Sequence, residues 1–236
     1  MKKQFIVFFT SLFLAVSSFS FAQAASFNIG VTGALATIDA SGKEVEASDT
    51  DDTSTLEASV ENANVPIGSI FVEYESDFYG LTLGAEHVPF SADVSDSVQR
   101  RTDAETSVTD TETTTSNSRD FKANAEVENF NKVYLELPIY EGLFVRAGLA
   151  EIDVNTTEVK SGNGGNYGNT TLDGDVLGIG LKGSVGDNMG YKIFYEQTDF
   201  DQLSLTSSGN SVASETNTVT ANLDVKELKF ALSYKF

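Results

Sequence analysis

The sequence predicts an all-β protein, an eight-stranded antiparallel up-and-down transmembrane β-barrel. Three observations predict this fold. Eight segments alternate between apolar and polar residues with a period of two, which is typical of a strand with one apolar face. The connections between the segments are alternately long and short, as in barrels with tight turns at one rim and long loops at the other. The last segment ends the chain on an aromatic residue at its apolar face.

The N-terminal segment is predicted to be a secretory signal peptide and is excluded from the fold. A short basic start precedes a mostly apolar run from Phe5 to Val16, and Ala22 and Ala24 form a small-x-small cleavage site. The apolar run is shorter than the ~18 residues that a membrane helix needs. The predicted domains are therefore a signal peptide at residues 1–24 and a barrel at residues 25–236.

The predicted strands follow one another along the rest of the chain. They lie near residues 27–36, 68–75, 81–87, 127–137, 143–150, 177–182, 191–196 and 228–236. Tight turns are predicted at residues 77–80, 138–142 and 186–190, and polar connections at 41–64, 91–120, 156–173 and 206–217. The longest polar connection, residues 91–120, is expected to be a mobile loop or the tip of an extended hairpin.

Composition limits the function classes. The formal net charge of −20 predicts a surface that repels nucleic acid and anionic surfaces. The chain has no cysteine, so no disulfide stabilises it, and stability must come from a core or from a closed hydrogen-bonded sheet. The hydrophobic content of 40% fits both a soluble barrel and a membrane barrel, so the order of residues has to decide between them.

The alternation alone fits a soluble barrel with an apolar interior as well as a membrane barrel with an apolar exterior. The signal peptide and the alternating connection lengths favour the membrane barrel. With the apolar faces toward lipid, a set of charged residues points inward. This predicted lumen charge network comprises Glu73, Glu136, Arg146, Lys182, Lys192, Glu196, Glu227 and Lys229.

Buried charges must pair, so the network is expected to be a structural salt-bridge plug. The alternative is a gate that re-pairs and lets small ions through, and the sequence does not choose between the two. A hairpin centred on Tyr140 would place Glu136 opposite Phe144, with Arg146 as the diagonal neighbour of Glu136.

The chain resembles the small eight-stranded outer-membrane β-barrel proteins of Gram-negative bacteria, the opacity-protein/OmpA-like barrel group. The resemblance rests on the cleavage site, the hairpin rhythm and a terminal pattern similar to the group's C-terminal insertion signal. That pattern comprises Lys229, Ala231, Tyr234 and Phe236. Ala231 stands where the group usually has glycine.

The resemblance implies a cell outer-membrane protein with long acidic surface loops and a structural, adhesion or surface-recognition role. It implies contact with outer-membrane lipid and lipopolysaccharide, and with the barrel-assembly machinery during insertion. The negative charge predicts that there is no nucleic-acid partner. The loop ligand is not predicted. A narrow porin-like channel for ions or small solutes is the main alternative, and a lipid A-modifying barrel enzyme is a further one.

Candidate catalytic, cofactor and metal sites are weak, and none is predicted. His87, the single histidine, is expected on the outer face, and an enzyme would need it near a nucleophile such as Ser91 and a carboxylate such as Asp93. The acidic run at 49–52 lacks the glycine and terminal glutamate of a calcium loop. The glycines at 162–165 are not followed by the Gly-Lys-Ser/Thr of a phosphate-binding loop.

Overall fold

The computed structural model of the protein describes residues 26–45, 55–94, 99–107, 115–160, 166–208 and 217–236. The eleven elements in these ranges are all strands: β1 Ser26–Val45, β2 Thr55–Glu75, β3 Thr82–Val88, β4 Ala92–Asp93, β5 Gln99–Ser107, β6 Thr115–Tyr140, β7 Leu143–Lys160, β8 Thr170–Val185, β9 Met189–Phe200, β10 Leu203–Thr206 and β11 Thr218–Lys235. Within these ranges there is no helix of the length and hydropathy that a helical membrane span requires.

Eight of the strands form a closed antiparallel ring in the order β1-β2-β3-β6-β7-β8-β9-β11. The ring closes because β11 pairs with β1 along its whole length, from Asn28 opposite Lys235 to Val45 opposite Thr218. The short strands β4 and β5 continue the line of β3 along β6, and β10 continues the line of β9 along β11. The predicted eight-stranded up-and-down barrel is confirmed.

The strands are longer than predicted, because the alternation changes phase along them while the backbone stays paired. On β7 the aliphatic residues are odd-numbered up to Leu149, but beyond it Ile152 and Val154 are aliphatic and even-numbered. From the sequence alone, the strand is predicted to end at that change of phase. The same effect hides the upper parts of β1, β2, β6, β8 and β11, and Met189 and Gly190, predicted as turn residues, belong to β9. Of the two expectations for residues 91–120, the extended hairpin is the one formed, by β5 and β6.

The phase change divides the barrel into two regions. The lower barrel comprises residues 26–35, 68–86, 132–149, 177–196 and 227–236 with the tight turns, and the upper barrel comprises the other described residues. The outer surface of the lower barrel carries an exposed apolar belt. The belt comprises Ile29, Val31, Leu35, Ile70, Leu135, Leu137, Leu149, Leu177, Ile179, Leu181, Tyr191, Ile193, Tyr195, Leu228, Phe230 and Leu232.

The upper barrel has the opposite sidedness. Its interior holds the main cluster of buried apolar residues: Ala36, Ile38, Val88, Val127, Phe130, Ala150, Ile152, Val154, Leu172, Val176, Phe200, Leu203, Leu223 and Val225. Its outer surface carries polar residues, such as Asp39 on β1, Lys226 and Asp224 on β11 and Asp199 on β9. The upper barrel is therefore built like a soluble domain, and the lower barrel like a protein surrounded by lipid.

A tight two-residue turn joins β6 to β7. Glu141 and Gly142 both have positive φ, at 24° and 87°, as a two-residue hairpin turn of this handedness requires. A Cβ on Gly142 would lie 2.6 Å from the carbonyl oxygen of Lys182, so the position also demands glycine for space.

The register of this hairpin corrects the prediction. Glu136 lies directly opposite Arg146, and not opposite Phe144. The shift arises because the turn is shorter than assumed and because Ile139 has no partner in the register, which forms a bulge. The two charged side chains therefore meet as direct cross-strand partners.

Candidate functional site

Glycines on the inner surface of the lower barrel leave room for aromatic rings. Gly84 pairs with Tyr134, and a Cβ on Gly84 would lie 2.2 Å from the Tyr134 ring. Gly30 pairs with Phe71 in the same way, with 2.3 Å between such a Cβ and the ring. The rings therefore lie along the wall, on strands that neighbour each glycine, and leave the centre of the barrel to longer charged side chains.

Nine charged side chains fill that centre, and all of them are buried. They come from six of the eight ring strands, while β1 and β8 contribute small residues that give them space. The carboxylates are Glu73, Glu86, Glu136, Glu196 and Glu227. The cations are Lys132, Arg146, Lys192 and Lys229. Five carboxylates and four cations leave a formal charge of −1 when all are ionised.

Arg146 is the centre of the network. Its Nη2 donates to Glu136 Oε1 at 2.6 Å and its Nη1 donates to Glu196 Oε2 at 2.8 Å. The guanidinium carbon lies 3.7 Å from the centroid of the Tyr134 ring and 4.3 Å from that of Phe194. Only arginine combines several donors in one plane with faces that stack on aromatic rings, so this position is specific for it.

Lys192 holds one side of the network together. Its ammonium group donates to Glu136 Oε2 at 2.7 Å and also contacts Glu73. The hydroxyl of Tyr134 donates to Glu73 Oε1 at 2.9 Å, the oxygen that Lys192 also contacts. Glu73 and Glu136 are thus bridged by a cation, and each has further donors.

Lys132 and Lys229 hold the other side. Lys132 bridges Glu196, at 2.6 Å, and Glu227. Lys229 contacts Glu86 and lies 3.3 Å from Glu196 and 3.7 Å from Glu227. Glu196 therefore faces both lysines as well as the arginine, and it links the two sides into one connected network.

The structure brings together seven of the eight residues of the predicted network: Glu73, Glu136, Arg146, Lys192, Glu196, Glu227 and Lys229. Lys182 lies apart from them, so its predicted place in the network is wrong. It sits at the lower rim, where its backbone N–H donates to Gly142 O, and its ammonium group is 3.7 Å from Glu75. The pairing of β8 with β7 ends at Leu181, so the Lys182 side chain is partly exposed to solvent at the rim.

Sequence reasoning omitted Glu86, Lys132 and Tyr134 from the network. A signal for them was present, because Glu86 and Lys132 alternate with apolar residues in the same phase as the acids and bases that were included. Their register across β3 and β6, with Glu86 directly opposite Lys132, places both side chains on the inner surface.

The interior above the network is closed by apolar packing and by a polar contact across the upper end. The rings of Phe130 and Phe200 lie 5.6 Å apart within the buried cluster. The hydroxyl of Tyr167, just before β8, donates to Glu44 Oε1 on β1 at 2.7 Å. Because β1 and β8 are not neighbours in the ring, this hydrogen bond crosses the upper end of the barrel.

The other predicted sites are placed as follows. His87 Nδ1 lies 2.8 Å from Asn131 Oδ1, on the outer face. Lys229 and Ala231 point inward, while Phe236 is exposed at the lower rim, where its N–H donates to Phe27 O. Tyr234 is exposed beside Phe236, with ring centroids 5.0 Å apart.

Several predicted features lie outside the described residues: Ala22 and Ala24 of the cleavage site, the acidic run at 49–52 and the glycines at 162–165. Within the described ranges, no group of three or more His, Cys, Asp or Glu side chains could hold a metal ion.

Comparison with known proteins finds similarity at the level of structure. No family model matches the chain, and no curated protein is similar to it in sequence. Among solved structures, it is similar to Ail, the attachment invasion locus protein of Yersinia pestis, with 12% identity and a TM-score of 0.35 over 91% of this chain and 100% of that one. It is also similar to Neisserial surface protein A, with 12% identity and a TM-score of 0.40 over 91% and 100% of the two chains.

A third similar structure is the outer membrane protein OprG from Pseudomonas aeruginosa, with 13% identity and a TM-score of 0.43 over 91% of this chain and 97% of that one. These three are small eight-stranded outer-membrane barrels, as the sequence resemblance implied. At identities this low the assignment of the fold rests on the strand pairing of the chain itself. The function of each similar protein is not transferred to this chain.

Proposed function

We propose that this chain is an integral outer-membrane protein with a closed barrel, which serves a structural, adhesion or surface-recognition role at the cell surface. The observation that carries the proposal is a filled interior at both levels of the barrel. Charged groups in mutual contact occupy the lower barrel, and apolar side chains occupy the upper barrel. A channel would need a continuous polar path through both.

The charge network supports a plug more than a gate. Each of its four cations contacts at least two carboxylates. Separating a buried ion pair costs about 3–5 kcal/mol when one partner is left without compensation. Opening a path for ions would require several such separations, and the apolar cluster above would still block it.

The expected partners follow from the surfaces. The belt is suited to contact with outer-membrane lipid and lipopolysaccharide, and the exposed aromatic residues Tyr234 and Phe236 to recognition by the barrel-assembly machinery during insertion. The formal net charge of −20 argues against nucleic acid as a partner. The proposed role is not that of a lipid A-modifying enzyme with a His-Ser-Asp site, because the single histidine, His87, contacts Asn131 on the outer face.

Single-channel recording in planar lipid bilayers tests whether the barrel is closed. Residues 25–236, refolded in detergent, should insert without stable conductance steps. A shift in gel mobility between unboiled and boiled samples shows that the inserted protein is folded. Stable single-channel steps from the folded protein would refute the closed barrel and favour the narrow porin-like channel.

The surface role is tested by trimming the hairpin of β5 and β6. Cells that express the intact chain should adhere to immobilised matrix proteins (collagen, laminin and fibronectin) better than cells expressing a chain in which residues 95–122 are replaced by Asn-Gly. Equal surface levels of the two chains serve as the control. Equal adherence of both, and of cells without either, would argue for a structural role.

A further inference from the structure

The wall of the barrel separates along one side. Pairing between β2 and β3 runs from Glu75 opposite Thr82 to Ile70 opposite His87. Above that point β2 pairs with β1, while β4 and β5 pair with β6. Within the described ranges no pairing joins β2 to β4 or β5. We call this separation the seam.

The prolines of the sequence explain the seam. The chain has three prolines, and two of them, Pro66 and Pro89, flank it. Pro89 directly follows Val88, the last residue of β3, and Pro66 lies in the part of β2 that faces the seam. Proline has no N–H and cannot donate to a neighbouring strand, so pairing is not continued from either side.

An apolar pocket of about 40 Å³ lies behind the seam. Its inner wall belongs to the buried cluster of the upper barrel and includes Ile38, Val127, Phe130 and Ile152. One water needs only ~10–15 Å³ of such volume, but it also needs roughly two to four polar partners. With a lining that is almost entirely apolar, the pocket is suited to a hydrocarbon group and not to water.

The pocket opens sideways, because its exposed lining residues all lie at the seam. The charge network lies below it, and the hydrogen bond between Tyr167 and Glu44 crosses the upper end. Its mouth is formed at the seam by Pro66, Phe90 and Ser91, all of them exposed.

The mouth lies at the upper border of the apolar belt. Leu35, which pairs with Pro66, is 55% exposed and is the last belt residue on β1, followed on the outer face by Thr37 and Asp39. Phe90 is 66% exposed and bridges the seam on its outer side, since a Cβ on Gly68 would lie 3.4 Å from its ring. What faces the mouth is therefore the hydrocarbon that covers the belt.

We propose that this pocket binds the end of an acyl chain of an outer-leaflet lipid, which enters laterally through the seam beneath Phe90. Continuity along β1 and β2 identifies the occupant, because the outward residues Leu35, Ile70 and Gly68 lead from the belt to the mouth with no polar side chain between them. The site goes beyond the closed-barrel role, since an acyl chain can occupy it without any path across the membrane. Phe90 is the residue that limits entry, because its ring covers the seam.

Intermolecular nuclear Overhauser effects test the proposal. The mature chain, deuterated except for Ile, Leu and Val methyl groups, is placed in nanodiscs of protonated dimyristoylphosphatidylcholine. The methyl group of Ile152, which is 2% exposed, should show cross-peaks to acyl-chain protons. Leu172 and Leu223 are matched controls, because they are buried in the same cluster but do not line the pocket. Ile193 of the belt should show lipid cross-peaks in any case, and their absence would refute the membrane assignment itself.

Two variants sharpen the test. Ala92→Phe fills the pocket from its lining and should abolish the lipid cross-peaks of Ile152 while those of Ile193 remain. Phe90→Ala uncovers the seam and should strengthen them, so one variant remains informative if the other fails to fold. Lipid cross-peaks at Ile193 with none at Ile152, in both the parent chain and Phe90→Ala, would overturn the proposal. Cross-peaks from water to Ile152 would overturn it as well.

Discussion

The lower barrel buries charged side chains among aromatic rings, whereas the upper barrel buries a cluster of apolar side chains on the same strands. On β9 the lower barrel points Lys192 and Glu196 inward and Ile193 outward, whereas the upper barrel points Phe200 inward and Asp199 outward. The backbone pairing is continuous across the change. The same positions of the pleat point inward along the whole strand, so the two regions differ in the kind of residue that occupies the inward and outward positions.

The two interiors are stabilised in different ways. In the upper barrel, apolar side chains leave water, at roughly 25 cal/mol for each Å² of apolar surface buried. In the lower barrel, the outer surface gains little by folding in lipid, and the interior depends on charges that satisfy one another. The lower barrel should therefore be sensitive to the loss of any one charge, and the upper barrel to the loss of volume.

Removal of Arg146 should have the largest effect. Arg146→Ala leaves five buried carboxylates with three lysines, so we expect the barrel to lose about 3–5 kcal/mol of stability. Urea unfolding in lipid vesicles measures the change. Lys182→Ala, which removes a cation at the rim whose side chain is 20% exposed, is the control and should cost less than about 1 kcal/mol. A higher urea midpoint for Arg146→Ala would contradict the network.

Loss of volume in the upper barrel should come next. Leu172→Ala should cost about 2–5 kcal/mol, because it leaves a cavity in the buried cluster. Leu177→Ala, on the same strand but 64% exposed in the belt, should cost much less in lipid. Equal losses for the two variants would mean that the regions do not differ as described.

Insertion of a charge into the belt should have a somewhat smaller effect. Ile193→Arg places a cation on the lipid-facing surface and should cost about 2–4 kcal/mol near the bilayer midplane. Gln197→Arg, on the same face of β9 but in the upper barrel, should be nearly neutral because that face is in water. The free energy of folding of each variant in lipid vesicles, compared with that of the parent chain, measures the difference. A large loss of stability for Gln197→Arg would show that the lipid-facing surface extends higher than the belt.

The smallest effect is expected on the outer surface of the upper barrel. Burial and the facing Asp199 raise the pKa of Asp224 above its ordinary value. Ionised Asp224 therefore destabilises the fold, and stability from this group rises as the pH falls through its raised pKa. Asp224→Asn should stabilise the protein at neutral pH by about 0.2–0.5 kcal/mol, since solvent screens the pair.

The pH dependence provides the check on this last prediction. The difference in urea midpoint between the parent chain and Asp224→Asn should shrink as the pH is lowered. Protonation of Asp224 removes the same negative charge that the substitution removes. Asn222→Gln, at an exposed uncharged position on the same strand, is the control, and its difference in urea midpoint from the parent chain should be the same at each pH. A difference for Asp224→Asn that grows on acidification would show that the aspartates do not repel one another.

Much of the lower barrel could be predicted from the sequence, because its pattern has one phase. Large apolar residues such as Ile193 alternate there with charged residues such as Lys192 and Glu196. The charged residues share one phase, and that phase identifies the inward face. The register of the hairpin of β6 and β7 could not be predicted. It depends on the bulge at Ile139, and a bulge has no reliable signature in a single sequence.

The upper barrel could not be predicted because its pattern conflicts with that of the lower barrel. Ala36 and Ile38 are apolar and point inward, whereas Leu35 is apolar and points outward. When the strand pairing is not known, adjacent apolar residues of opposite phase indicate the end of a strand. We infer that the change of phase marks the level at which lipid gives way to water, and on β7 and β11 the change recurs at the corresponding positions.

The change of sidedness along β9 can be measured directly. The chain has no cysteine, so single cysteines at positions 193, 195, 197 and 199 can each carry a spin label in lipid vesicles. The labels at 193 and 195 should be accessible to oxygen dissolved in the lipid, and those at 197 and 199 to a water-soluble nickel chelate. Labels at the inward positions 194 and 200 should be shielded from both. A single environment for all four outward positions would contradict the division of the barrel into a lipid-facing and a water-facing region.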